Sequence, residues 1–244
     1  LRFTEKTDHI FHIPKILYHW RMHPESTAIN VNSKHYAYEA GKKAIQEALD
    51  RRGEGGVVES SRFYPGHYRV SYPCKGEDLV TFIFSEDEEN QDVQDWMAML
   101  SQNTDYPTIQ MVNLVKEVSS PSNNDDTPPF GYLGNYKSIK LDGTLDMPTL
   151  QTIVRKHIKG EFILFIEQRF NIENTKWLNT LVGYGQRPSI SSVFFKSFPP
   201  HYSYYPEMIT NSVKEEYDGV LLRRNDVLSL PSDRTYSLKT AINS

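Results

Sequence analysis

Cysteine is almost absent: Cys74 is the only one in 244 residues. One thiol cannot close an internal disulfide, and no thiol cluster exists to hold zinc. That usage suits a reducing compartment, so a cytoplasmic location is expected. Long apolar runs are missing too. No stretch approaches the ~20 residues needed to cross a bilayer, and the opening residues do not read as a secretory leader. There is no excess of positive charge, since 27 Lys and Arg face 31 Asp and Glu for a net charge of -4. No basic stripe with interleaved aromatics appears, so nucleic acid is not an expected partner. A glycine-rich phosphate loop is also lacking after the apolar runs that end at Phe84 and Val115, which counts against the familiar nucleotide-binding motifs.

The residues that are present describe a folded protein. Hydrophobic residues make up 38% and charged residues 24%, the balance of a globular chain rather than a disordered one. The length allows one or two domains, each with a real core. Leu1–Arg2–Phe3 reads like the interior of a domain, so upstream sequence is expected.

Residues 9–21, HIFHIPKILYHWR, mix β-branched and aromatic side chains around Pro14. They predict an extended segment, read as two short strands with the proline at a break or edge. Ser33 is placed to cap a helix. Ala37, Ala40, Ala44, Ile45, Ala48 and Leu49 recur at helical spacing and predict that helix over 35–52, stopped by Gly53, Gly55 and Gly56. The alanine stripe predicts close, shallow packing on the following domain. Residues 67–73 alternate as a strand in a connecting arm.

Beyond this point the pattern changes. Residues 79–84, 109–115 and 161–166 are short continuous apolar runs, as expected of strands covered on both faces. Between them lie Val93, Trp96, Met97 and Leu100 at helical spacing, a turn at 105–107, and a Ser-, Asn-, Asp-, Pro- and Gly-rich stretch at 116–135 that predicts a long surface loop. Residues 136–141 read as strand, 148–158 and 174–184 as helix, and 190–198 as strand. This alternation predicts an α/β fold, a mostly parallel sheet flanked by helices with Ile83, Val112, Leu164 and Phe165 in its core. Ligands in such sheets sit beyond the C-terminal strand ends, so the positions following Phe84, Val115, Leu141 and Ile166 are the ones to watch.

Two blocks carry a resemblance. HIPKILYHWRMHPESTA, residues 12–28, looks like the closing segment of a family 2 glycosyltransferase domain. KGEFILFIEQRFNIENTKWLNTLVGYGQRPSISSVFFKSF, residues 159–198, resembles that family's central strand, metal-binding turn and Trp-Leu helix. TDYP at 104–107 matches the turn before the second strand. The chain thus resembles a tandem family 2 glycosyltransferase. The resemblance implies a GT-A, Rossmann-like sheet preceded by an extended arm and linker helix. Residues 1–30 would be the tail of an upstream domain, 31–76 a linker helix and connecting arm, and 77–244 a degenerate second domain, with its truncation left open. The implied activity is sugar transfer from a nucleotide-sugar donor to a glycan acceptor in bacterial surface polysaccharide biosynthesis, with peripheral association at the inner face of the plasma membrane.

The departures from the family pattern matter most. Active members end the fourth strand with carboxylates that hold Mg²⁺ or Mn²⁺ against the donor diphosphate, because a hard cation needs oxygen ligands. Here the turn reads Glu167–Gln168–Arg169. The nucleoside-contacting Asp is replaced by Val115, and the first-strand loop is acidic at Glu86–Asp87–Glu88–Glu89. A later Glu-Asp or Asp-Asp element, which supplies the catalytic base, is not found. The chain alone is therefore expected to bind no metal and to be catalytically impaired. Glu167 remains the candidate catalytic or metal-binding carboxylate. His19 is a candidate for metal or diphosphate, and Arg21 and Arg169 for diphosphate. Set against these are packing roles for His19 and solvated-loop roles for the others. His9, His12 and His23 read as structural, Trp177 as core, the acidic run as a helix start, and Asp142–Gly143 as a turn. A non-catalytic scaffold or glycan-binding domain is the alternative function.

Overall fold

The computed structural model describes residues 2–19, 35–61, 64–85, 91–116, 135–141, 145–166, 169–172, 174–195 and 219–230. They fall into two units, Leu1–Pro73 and Cys74–Ser244.

Unit 1 contains a 3-10 turn at Thr4–Lys6 and the helix α1 (His35–Arg52). A hairpin follows, β1 (Val57–Ser60) with β2 (Tyr68–Ser71), in which Val58 opposes Val70. The helix ends where its glycines predict. Gly53 and Gly55 take φ of 65° and 64°, the left-handed region that glycine enters without steric cost. Gln46 joins helix to hairpin: its Nε2 donates to the Gly56 carbonyl at 2.9 Å, and its Oε1 accepts from the Val58 amide at 3.0 Å. Leu49, Ala48 and Val58 are buried there.

Two expectations fail in this unit. Ala37, Ala40 and Ala44 are exposed, so the alanine stripe is buried only at its C-terminal end, where the hairpin covers it. Residues 9–19 contain no strand among the described residues. β-branched and aromatic content raises strand propensity, but a strand forms only against a partner ladder. The actual hairpin partner, β1, escaped notice because two valines after a glycine run give no periodicity.

Unit 2 is a six-stranded sheet in the order β5-β4-β3-β6-β8-β7. β3 (Val80–Phe84), β4 (Ile109–Lys116), β5 (Asn135–Leu141) and β6 (Phe162–Ile166) run parallel. β8 (Gly219–Arg223) is antiparallel to both β6 and β7 (Ser192–Phe195). The period of two sorts each strand between two cores. Val80, Phe82, Phe84, Phe162, Leu164 and Ile166 meet α2 (Gln91–Gln102) and α4 (Trp177–Gly185) on one face. Ile83, Val112, Ile163 and Phe165 meet α3 (Met147–His157) and α5 (Arg224–Ser229) on the other. Both faces are covered, which is why the strand sequences read as continuous apolar runs. All four core residues expected from the sequence are buried.

Several polar groups inside this unit are paired with one another. The Thr81 hydroxyl donates to Gln110 Oε1 at 3.0 Å. Gln151 Nε2 donates to the carbonyls of Val227 and Leu230, tying α3 to α5. Asp146 caps α3 by accepting from the Thr149 amide at 2.9 Å, and the hydrogen bonds from Thr149 hold its carboxyl below the usual carboxylate range. β8 and α5 were not anticipated; the run GVLLR is short and follows a Ser-, Tyr- and Pro-rich stretch.

A side chain at Gly160 would run into the Leu79 carbonyl at the start of β3. Gly160→Ala is expected to lower urea-unfolding stability by about 1–3 kcal/mol. Ala44→Lys, at an exposed helix position, should stay within about 0.5 kcal/mol of the parent.

Candidate functional site

The strand order reverses at β3. Its chain neighbour β4 lies on one side and β6 on the other, with Val80 opposite both Ile109 and Phe162. A doubly wound sheet opens a crevice at such a switch point, beyond the C-terminal strand ends. The described residues there are Ser85 after β3, the end of β4, and Arg169 beyond β6. Ser85 donates its hydroxyl to the Leu114 carbonyl at 2.7 Å, which ties the exit of β3 to its neighbour. β4 overshoots β3: Phe84 opposes Asn113, and residues 114–116 continue against β5 alone. Val115 is half-buried on this overhang, and Asn113 is fully buried one step inside it.

The chain leaving β6 is fixed by aromatic packing. Arg169 is exposed, and the next residue, Phe170, is buried. The Phe170 ring lies edge-to-face with Phe195 at 4.9 Å, Trp177 at 5.1 Å and Trp96 at 6.2 Å. Its carbonyl accepts from the Trp96 indole nitrogen at 3.1 Å. Three separate elements thus converge on this one residue. The 104–107 turn braces the same cluster. Trp177 Nε1 donates to Thr104 Oγ1 at 3.0 Å, and the Asp105 amide donates to the Thr175 carbonyl at 2.7 Å. Tyr106 is buried, and burial first, with Cys74 and Asp78 nearby, pushes its phenol above the ordinary range; its hydroxyl donates to the Asp78 carbonyl.

The candidates from the sequence separate as follows. Arg169 stands at the crevice rim in unit 2, and His19 is exposed in unit 1. Glu167 and Gln168 lie outside the described residues, as do Arg21, His23, the acidic residues 86–89 and Asp142–Gly143. Trp177 belongs to the aromatic cluster, partly buried against the core as expected. Arg223 and Arg224, a cationic pair that sequence reasoning passed over, face the opposite edge of the sheet. Arg223 donates to the carbonyls of Gly185 and Arg187, and Arg224 to that of Ile158. Those guanidiniums satisfy backbone groups far from the crevice.

Among the described residues no three His, Cys, Asp or Glu side chains gather as a metal site. The described rim offers a hydroxyl at Ser85 and a guanidinium at Arg169. That donor set does not fit Mg²⁺ or Mn²⁺, which require several oxygen ligands with carboxylates among them. No helix among the described residues is long and apolar enough to cross a membrane.

By class, unit 2 is a doubly wound α/β domain. No family model matches the chain. It is 31% identical over 206 residues to the O-antigen biosynthesis protein RfbC of Myxococcus xanthus, covering 82% of this chain and 16% of that protein. It is 26% identical over 196 residues to the uncharacterized protein y4gI of Sinorhizobium fredii, covering 78% of this chain and 21% of that one. The chain therefore spans a small fraction of either relative's length. Among solved structures, the mannosyltransferase PcManGT from Pyrobaculum calidifontis, in complex with GDP-Man and Mn²⁺, aligns with 86% of this chain and 59% of its own. The TM-score is 0.47 and the identity 14%. Glucosyl-3-phosphoglycerate synthase of M. tuberculosis aligns with 62% of this chain and 59% of its own, at TM-score 0.38 and 13% identity. This chain is thus similar to one part of an O-antigen biosynthesis protein.

Phe170→Ala is expected to cost about 3–5 kcal/mol in denaturant unfolding, because it empties a site shared by three aromatic rings. Trp96→Phe keeps a ring but orphans the Phe170 carbonyl, and should cost about 1–3 kcal/mol.

Proposed function

We propose that this chain is part of a bacterial family 2 glycosyltransferase of surface polysaccharide biosynthesis. The parent protein moves a sugar from a nucleotide-sugar donor to a glycan acceptor, in the cytoplasm at the inner face of the plasma membrane. Its second unit does not itself transfer sugar. The observation that carries this reading is the turn at the C-terminal end of the central strand β6. The sequence that follows β6 is Glu167–Gln168–Arg169, and ligands of doubly wound sheets are expected beyond the C-terminal strand ends. A diphosphate concentrates negative charge, and a metal-dependent transferase meets it with a cation held by carboxylates. Here one carboxylate remains and a guanidinium follows it. Arg169 is exposed, and an exposed ion pair contributes only about 0–1 kcal/mol. That is too little to replace a divalent cation.

The reading retains a role for the crevice in positioning the acceptor glycan or a neighbouring domain, supported by the rigid aromatic setting of the rim. Titration calorimetry of the 244-residue chain with uridine and thymidine diphosphates, with and without Mn²⁺, tests it. The expected result is no saturable binding below millimolar concentration and no transferase turnover. Micromolar, Mn²⁺-dependent binding that is lost in Glu167→Gln would overturn it. Micromolar binding without metal, lost in Arg169→Ala, would instead establish a metal-independent nucleotide site.

A further inference from the structure

One corner of unit 2 gathers cations that make no ion pair among the described residues. α3 ends in Arg155, Lys156 and His157, and Lys159 follows its C-cap, Ile158. A helix C-terminus favours cations. That accounts for the last turn of α3, but not for Lys159 or for the residue that joins the group from a neighbouring strand. β8 runs antiparallel to β6, so Arg223 opposes Phe162 and the chain enters α5 at the N-terminal edge of the parallel strands. There the Arg224 Nε donates to the Ile158 carbonyl at 2.8 Å, and the Arg224 amide donates to the Glu161 carbonyl at 2.8 Å. These two bonds fix the Arg224 guanidinium beside the α3 C-cap. Arg155, Lys156 and Lys159 are exposed. Among the described residues none of the four has a carboxylate at ion-pair distance. Two carboxylates adjoin them in sequence. Asp226 pairs with Arg223 at 3.7 Å, and Glu161 is exposed just before β6.

We propose that Arg155, Lys156, Lys159 and Arg224 form the surface by which unit 2 adsorbs to an anionic lipid bilayer. Two observations select a bilayer over an acidic protein. The first is the lack of an apolar anchor. Protein interfaces draw most of their affinity from a few buried aromatic or other large side chains. Among the described residues of unit 2 the large apolar side chain left exposed is Phe194. It lies on the edge strand β7 opposite Val220, toward the other end of the strands. The second observation is charge asymmetry. The chain as a whole carries a net charge of -4, so an acidic surface repels it except where cations gather. Long ammonium and guanidinium side chains meet a plane of lipid phosphates without needing one fixed geometry. Docked at this corner, unit 2 turns its C-terminal strand ends away from the lipid. The bilayer as occupant rests on the proposed placement of the parent protein at the inner face of the plasma membrane. Vesicle binding needs neither nucleotide nor turnover, so its outcome is separate from that of the catalytic reading.

Co-sedimentation of the 244-residue chain with phospholipid vesicles tests it. At ~0.1 M salt, where the Debye length is about 10 Å, the chain should bind mixed phosphatidylglycerol–phosphatidylcholine vesicles and not pure phosphatidylcholine. Each cation close to an acidic lipid surface strengthens binding about fivefold. Lys156→Gln with Lys159→Gln should therefore lower the partition coefficient by about 25-fold, with the melting temperature unchanged. The same charge change on α1, Lys42→Gln with Lys43→Gln, should shift binding by less than about twofold, because charges beyond a Debye length are screened. No binding to the acidic vesicles, equal binding to both kinds of vesicle, or an equal loss in the α1 variant would overturn the proposal. So would saturable binding of poly-glutamate without vesicle binding, which would assign the corner to an acidic protein.

Discussion

The crevice of unit 2 depends on where one phenylalanine goes. β6 is buried on both faces, and α4 packs on one side of the sheet. Phe170 enters a pocket made by α2, α4 and β7, while the Trp96 indole satisfies its carbonyl. Aromatic edge-to-face pairs contribute about 0.5–1.5 kcal/mol beyond their burial. Three such pairs converge on a single ring. Gly219 belongs to the same arrangement. A side chain there would strike the Phe165 carbonyl and the Phe195 ring, so glycine lets β8 approach β6 and hold Phe195 in place.

The same kind of packing fixes the neighbouring turn. Residues 104–107 act through packing and hydrogen bonds: Thr104 bridges to Trp177, the Asp105 amide reaches Thr175, and Tyr106 is buried. None of these contacts requires a nucleotide. The Trp-Leu helix likewise places Leu178 and Trp177 in the core beside Phe82.

The legible part of the sequence was the part dominated by burial. β3, β4 and β6 were visible as continuous apolar runs, and α2 and α3 by their periodicity, because two-sided coverage leaves little freedom in residue choice. β8 was illegible for a related reason. It is a short antiparallel insertion between β6 and β7, and its position comes from long-range pairing such as Leu164 with Leu221. The alanine stripe of α1 misled because periodicity reports a potential contact face, not the extent of its cover. Residues 9–19 misled because strand propensity says nothing about whether a partner edge exists. Strand alternation alone marked the β6 exit as a position to watch. The burial of Phe170 was not, since its three ring partners lie 74, 7 and 25 residues away in sequence.

The two units differ in how far each can account for its own stability. Unit 2 has two cores, one on each face of the sheet, and its buried polar groups are largely paired within it. Unit 1 has an 18-residue helix with its buried apolar residues at one end and a two-stranded hairpin. A two-stranded hairpin is marginal in water without further cover. An isolated helix of this length gains most of its stability from a packed apolar face, and much of that face is exposed here. The glutamine bridge from Gln46 and the ion pairs from Arg51 to Glu5 supply direction more than energy, since exposed ion pairs contribute little.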